Sequence, residues 1–190
     1  MRQLRPEAAD LLREIVNIGA SQGSGVLAAR VGRPVRITVP MLRELELEES
    51  ASVFGPPEDP VEAVLVLSGG AFHAGIMLAL TESDLRRLSE SLGFAPESRP
   101  ELDHSLAQVL ETFLVGAGAF LMTDLSVEVS RSLYDMAGSL VPSLVGELEY
   151  EIDSIILAEV DFLTETATIL GRLFFLGDAG FYDLIDELAG

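Results

Sequence analysis

The feature that most constrains this chain is its likeness to itself. Setting "AGIMLALTESDLRRLSESLG" (74–93) beside "LGRLFFLGDAGFYDLIDELAG" (170–190) aligns two apolar runs, each followed by an amphipathic segment, with Gly75 on Gly171, 96 residues apart. The long helical segments upstream match at nearly the same shift: Leu11 falls on Leu106, Ile15 on Leu110 and Ile18 on Phe113, each 95 residues apart. Two repeats, about 6–93 and 100–190, each read helix, strand, hairpin, helix. Such a duplication predicts an α/β fold in which one pseudo-two-fold-symmetric domain pools its strands in a largely antiparallel sheet, with two long helices packed on it. A chain of 190 residues that is 48% apolar holds one well-packed core, and a second would be squeezed.

Local signals fill in the elements. Pro6 suits an early helical position, and Leu11, Leu12, Ile15, Ile18 and Val26 recur at helical spacing up to about Arg30. "PVRITVP" (34–40) reads as a short strand closed by Pro40, and "LRELELEES" alternates so that its glutamates share a solvated face. "VEAVLVLSG" and "FHAGIMLAL" read as a hairpin turning at Gly69–Gly70. The helix after it has Thr81 as N-cap, Asp84 three residues on, and Gly93 as C-cap. In the second half, "ELDHSLAQVLETFLVGAGAFLMTDL" predicts a helix, "SVEVSRS" a strand and "YDMAGSLVPSLVGEL" a helix. "SIILAEVDF" and "TATILGRLFFL" predict strands, and "AGFYDLIDELAG" a last helix.

Composition excludes several classes of function. Twelve basic residues, all Arg, stand against 31 acidic ones, giving a formal net charge of −19, which repels nucleic-acid backbones and anionic membranes. The chain lacks cysteine, so disulfides, thiolate catalysis and Cys-based metal sites are out. No signal-peptide pattern opens it, and its longest uncharged apolar run, 112–123, is far short of the roughly 20 residues that span a bilayer. The expectation is a soluble cytoplasmic protein. His73 and His104 stand 31 residues apart without ligand spacing and read as structural, and the glycine-rich stretches lack the lysine of a phosphate loop.

At 100° per residue, Asp10, Glu14, Asn17, Ser21 and Ser24 fall within about 40° of one line on the first helix, away from its apolar side. A solvated face is the ordinary reading of such a line. Asn17 argues against it, because Asn is a poor helix former at a position where Glu or Arg would serve better. Gly19, Gly23 and Gly25 each cost a helix about 0.8–1.0 kcal/mol relative to Ala, which predicts close approach of another element.

The string Asp10-x3-Glu14-x2-Asn17-x22-Pro40, with "NIGA" following and "DMAG" at 135–138, resembles the signature of the CheC/CheX/FliY family of CheY-type response-regulator phosphatases, and CheC most of all. The resemblance implies hydrolysis of the aspartyl phosphate on a phosphorylated CheY-like receiver domain. Asn17 would orient the attacking water, and Glu14 would pair with a receiver lysine. Asp10 and Pro40 would support the site. The receiver would supply Mg²⁺, and this chain would need no cofactor or metal of its own. Shifting by 95 puts Ser105, Val109 and Thr112 at the motif positions of the second half, a degenerate site, so one working site is expected. The alternative is a CheC-like adaptor that engages CheD or a receiver with little or no hydrolysis. A structural part of the flagellar switch is the less attractive reading.

Overall fold

The computed structural model describes residues 4–69, 72–123, 125–152 and 154–190. The first half contains helix α1 (Pro6–Val31), strand β1 (Arg36–Leu45), a one-turn helix α2 (Leu47–Ser50), strands β2 (Pro60–Gly69) and β3 (Ala74–Thr81), and helix α3 (Glu82–Leu92). A single 3₁₀ turn at Pro96–Ser98 leads into the second half: α4 (Arg99–Phe120), β4 (Ser126–Met136), α5 (Leu140–Glu147), β5 (Ser154–Leu163), β6 (Thr168–Gly177) and α6 (Ala179–Leu188). The six strands form one sheet in the order β1-β5-β6-β3-β2-β4, and every pairing is antiparallel.

The duplication governs this order. Exchanging β1 with β4, β2 with β5 and β3 with β6 reverses the list onto itself, so the sheet has a local dyad at the β3–β6 pair, where Met77 faces Phe174 and Leu78 faces Leu173. One face carries α1, α4, α3 and α6 over a core that includes Leu12, Ile15, Leu78, Leu106, Leu110, Phe113 and Phe175. The other is covered by α2 and α5 over Leu45, Phe54, Leu65, Met77, Leu144 and Phe174. The central strands β3, β5 and β6 are apolar in nearly continuous runs because both their faces are buried.

The caps follow the local chemistry. Thr81 Oγ1 accepts from the Asp84 N–H at 3.2 Å, and Gly93 takes φ 80° at the end of α3. Gly32 ends α1 at φ 66°, and Asp178 Oδ1 accepts from the Phe181 N–H at 2.9 Å to start α6.

Several expectations need correction. Residues 36–45 form one strand, and Pro40 sits inside it, where the register with β5 slips between Thr38 and Met41; it does not close a strand. Proline is tolerated there because β1 is an edge strand and the irregularity needs no ladder donor. The strand stops at Leu45. Beyond it, the Glu46 N–H donates to Glu49 Oε2 at 3.2 Å at the start of α2, so these glutamates cap a helix instead of lining a strand. "YDM" belongs to β4 and α5 begins only at Leu140, because pairing with β2 continues to Pro60↔Met136. The helical run of the second half ends at Phe120. β2 and β3 do pair as a hairpin, but Gly70 of the expected turn lies outside the described residues.

Candidate functional site on the first helix

α1 and α4 run antiparallel across the sheet, and small residues set their separation. A Cβ on Gly19 would lie 2.4 Å from the Phe113 ring, and one on Gly23 would lie 2.7 Å from Val109 Cγ1. The expected close approach is therefore met at these two glycines. Gly25 faces open space. Leu12, Ile15, Val16, Ala20 and Leu27 are buried with them, while Leu11, Ile18 and Val26 are only partly covered.

This packing holds the opposite side of α1 outward. Asp10, Glu14, Asn17 and Ser21 are all exposed. Asp10 accepts from Arg13 Nη1 one turn on, an ion pair within the helix surface. Among the described residues, Glu14 and Asn17 have no hydrogen-bond or ion-pair partner, which leaves a carboxylate and a carboxamide one turn apart and free to engage another molecule. Ser24 does not continue the line as a free group. Its Oγ donates to Ala20 O and accepts from the Ile37 N–H, both at 2.7 Å, stitching α1 to β1. Pro40 is exposed three residues beyond that stitch.

The second half differs from the sequence expectation in a way that burial decides. The buried positions of α1 (Ala8, Leu12, Ile15, Val16, Gly19, Ala20, Gly23, Leu27) reproduce those around α4 (Leu102, Leu106, Val109, Leu110, Phe113, Leu114, Ala117, Leu121) at a shift of 94, not 95. The strand alignment at 96 fails for a related reason. A Cβ at Gly75 would meet Leu67 and Tyr150, whereas one at Gly171 would meet Leu78 and Phe162 from the helix-bearing face. Side chains alternate along a strand, and the same face is lined by odd-numbered residues of β3 (Met77, Ala79) but even-numbered ones of β6 (Phe174, Leu176), so a shift of 96 sets opposite faces against each other.

Ser105, Val109 and Thr112 are therefore not the counterparts of the α1 triad. Ser105 is buried with its Oγ donating to Glu101 O, Val109 packs on Gly23, and the half-buried Thr112 donates to Gln108 O at 2.8 Å. The counterparts of Asp10, Glu14 and Asn17 are His104, Gln108 and Glu111. His104 is exposed and the other two are half-buried, with an amide standing where α1 has the carboxylate and a carboxylate where it has the amide. The signal that could have found them was the apolar spacing of residues 102, 106, 109, 110 and 113.

The other features lie elsewhere. His73 Nδ1 is 3.3 Å from Asp178 Oδ2 and its ring stacks on Tyr150, so it ties the hairpin to α6. Burial, reinforced by Asp178, pushes the Tyr150 hydroxyl well above the usual phenolic range. A cleft of about 360 Å³ lined by Asp59, Pro60, Thr81, Glu82, Ser83 and Arg86 contains no residue of α1. The α1 site is thus an outward helical surface, a shape that meets a macromolecule better than it encloses a small one. Among the described residues, no group of three His, Asp or Glu side chains is placed to hold a metal, and no helix is long and apolar enough to cross a membrane.

The chain is 24% identical to the CheY-P phosphatase CheC of Bacillus subtilis, over 97% of its own length and 93% of the relative's. Among solved structures it superposes on Thermotoga maritima FliY with a TM-score of 0.70 at 17% identity, covering 98% of this chain and 97% of that one. In sequence and in fold the chain is thus similar to members of the CheC/CheX/FliY family. The same fold extends to the FliM middle domain from H. pylori, with a TM-score of 0.64 at 12% identity and coverage of 97% and 99%. No family model matches the chain. Within this CheC/CheX/FliY fold, the exposed Glu14–Asn17 pair is the feature of α1 that invites chemistry.

Proposed function

We propose that the chain hydrolyses the aspartyl phosphate of a phosphorylated CheY-like receiver domain, and that α1 carries its one active site. The observation that carries this reading is the Glu14–Asn17 pair, outward on a helix held rigid by the α1–α4 crossing and free of partners within the described chain. Phosphoryl transfer needs little covalent participation from a protein; it needs a nucleophile in line and charge held in place. The Asn17 carboxamide can accept from a water and donate to it at once, orienting it toward phosphorus without any change of protonation. The Glu14 carboxylate, about 4.5 Å along the helix axis, suits a lysine on the receiver and would fix the helix against it. The phosphate and Mg²⁺ would come with the receiver, where the cation would supply charge neutralisation for the phosphoryl group. The relative's designation as a CheY-P phosphatase supports the substrate class.

The second reading is an adaptor that engages CheD or a receiver domain with little or no hydrolysis. Decay of an acyl-phosphorylated CheY-type receiver, followed with and without the protein, separates the two. Hydrolysis predicts faster decay that Asn17→Ala reduces by about 100-fold, as expected for a lost positioning group, with thermal stability unchanged. Binding without acceleration by the wild-type chain would establish the adaptor and refute catalysis.

A further inference from the structure

The outward line of α1 that carries Glu14 and Asn17 has a neighbour of a different kind on α4. Positions 104, 108, 111, 115, 119 and 122 recur at helical spacing and fall on one outward line of α4 and its C-terminal turn. The first half of that line is polar, with His104, Gln108 and Glu111, whereas the second half is Val115, Ala119 and Met122, all exposed. Val115 is 58% exposed and Met122 85%. The chain leaves α4 through Met122 at φ 53°, the one positive φ of a non-glycine among the described residues, with the Thr123 N–H donating to Gly118 O at 3.0 Å. Glycine ordinarily takes such a place. Here methionine takes it, and its side chain finds almost nothing in the chain to pack on.

The helix crossing decides what this apolar half lies beside. With α1 and α4 antiparallel, Gly19 against Phe113 and Gly23 against Val109, Asn17 stands about level with Val115 and Asp10 about level with Met122. The partly covered Ile18 lies on the α4 side of the Glu14–Asn17 line. That pair is therefore bordered by an apolar shelf supplied by the other repeat. The symmetry-related place has none: at the shift of 94, the counterparts of Val115, Ala119 and Met122 are Ser21, Gly25 and Ala28, so no large apolar side chain borders Gln108 and Glu111 in the same way. The chain carries a net charge of −19, and a phosphorylated receiver brings an anionic acyl phosphate, so charge at long range opposes their meeting. Glu14 offers one local attraction, to a lysine. The remaining affinity has to come from burial of uncharged surface, which the shelf supplies next to the pair.

We infer that Val115, Ala119 and Met122 of α4 form the apolar half of the surface that docks the receiver, and that they cover an uncharged apolar patch bordering the receiver's acyl-phosphate pocket; this rests on the reading that the α1 site meets a phosphorylated receiver. The test titrates a CheY-type receiver, loaded with Mg²⁺ and beryllofluoride as a stable mimic of the acyl phosphate, into the wild-type chain, Val115→Ser and Met122→Asn by isothermal titration calorimetry. Asparagine tolerates the positive φ at 122. Each variant weakens Kd roughly tenfold, as expected when a valine or methionine side chain is no longer buried in a complex, and thermal stability is kept because both residues are exposed. Tyr134→Ser, which removes a 66% exposed side chain from β4, leaves Kd unchanged. In the decay assay the loss in Val115→Ser and Met122→Asn falls on KM, whereas Asn17→Ala lowers kcat. Wild-type acceleration of decay with Kd and KM indifferent to both α4 variants would overturn the shelf and leave the phosphatase reading standing, as would equal weakening by Tyr134→Ser. Wild-type binding without acceleration, weakened by both α4 variants, would uphold the shelf and refute catalysis. A wild-type chain that does not bind the loaded receiver would overturn both.

Discussion

Replacing Gly19 by Ala tests the helix crossing that holds the α1 surface in place. Taken alone, the exchange favours a helix by about 0.8–1.0 kcal/mol. The new Cβ, however, would lie 2.4 Å from Phe113 Cδ2 and Cγ and 2.5 Å from Cε2. Ordinary contact begins about 1 Å farther out, so the ring or a whole helix must move. Phe113 has little freedom, being 3% exposed with its ring 5.7 Å from that of Phe175. Overpacking of this kind costs about 1–3 kcal/mol, and the contact is at the severe end, so the net loss is about 1–2 kcal/mol. For a domain of this size that lowers Tm by roughly 2–8 °C. Gly25→Ala, in the same helix with nothing within 4 Å, gains the propensity alone and raises Tm by roughly 2–4 °C. Differential scanning calorimetry of both variants decides the matter. If Gly19→Ala raises Tm as Gly25→Ala does, α1 and α4 are not in contact at that point and the rigid-platform argument for Glu14 and Asn17 fails.

On the proposed phosphatase reading, Thr112→Ala leaves receiver dephosphorylation nearly intact, since its hydroxyl is already committed to Gln108 O; a large loss in the phosphate-release assay would place a working site on that part of α4. Burial raises Glu62 above the ordinary carboxylate value of 4.5, outweighing attraction by Arg99, so the folded chain holds this proton more tightly than the unfolded one. The stabilising contribution of that proton is full below 4.5 and is lost as pH rises through the folded value. Relative to wild type, Glu62→Gln therefore gains Tm as pH is raised from about 4 to 7, and a parallel pair of Tm curves would contradict this assignment.

The legibility of the chain followed the range of its interactions. The caps at Thr81 and Gly93 and the polar line of Asp10, Glu14 and Asn17 depend on neighbours within one or two helical turns, and all could be read locally. The match between the two hairpins foretold a pooled sheet, because a duplicated unit with an unburied face must cover it against its copy. Extent was harder to read. β1 runs through Pro40 and β4 through Tyr134 because partners more than 60 residues away, in β5 and β2, continue the ladder there.

The shift between the repeats shows most sharply where sequence ends and tertiary structure begins. By itself the sequence determined two copies of one unit and an outward carboxylate–amide pair on the first helix. Its apolar spacing at 102, 106, 109, 110 and 113 pointed to a shift of 94, but α4 carries small or apolar residues on nearly every side, among them Ser105 and Ala107, so that signal stood out only weakly against a shift of 95. The choice fell to the crossing with α1, where Phe113 fills the space above Gly19 and Val109 that above Gly23. One residue along a helix turns a side chain by 100°, and that rotation moved Val109 and Ser105 into the core and brought Gln108 and Glu111 toward the surface.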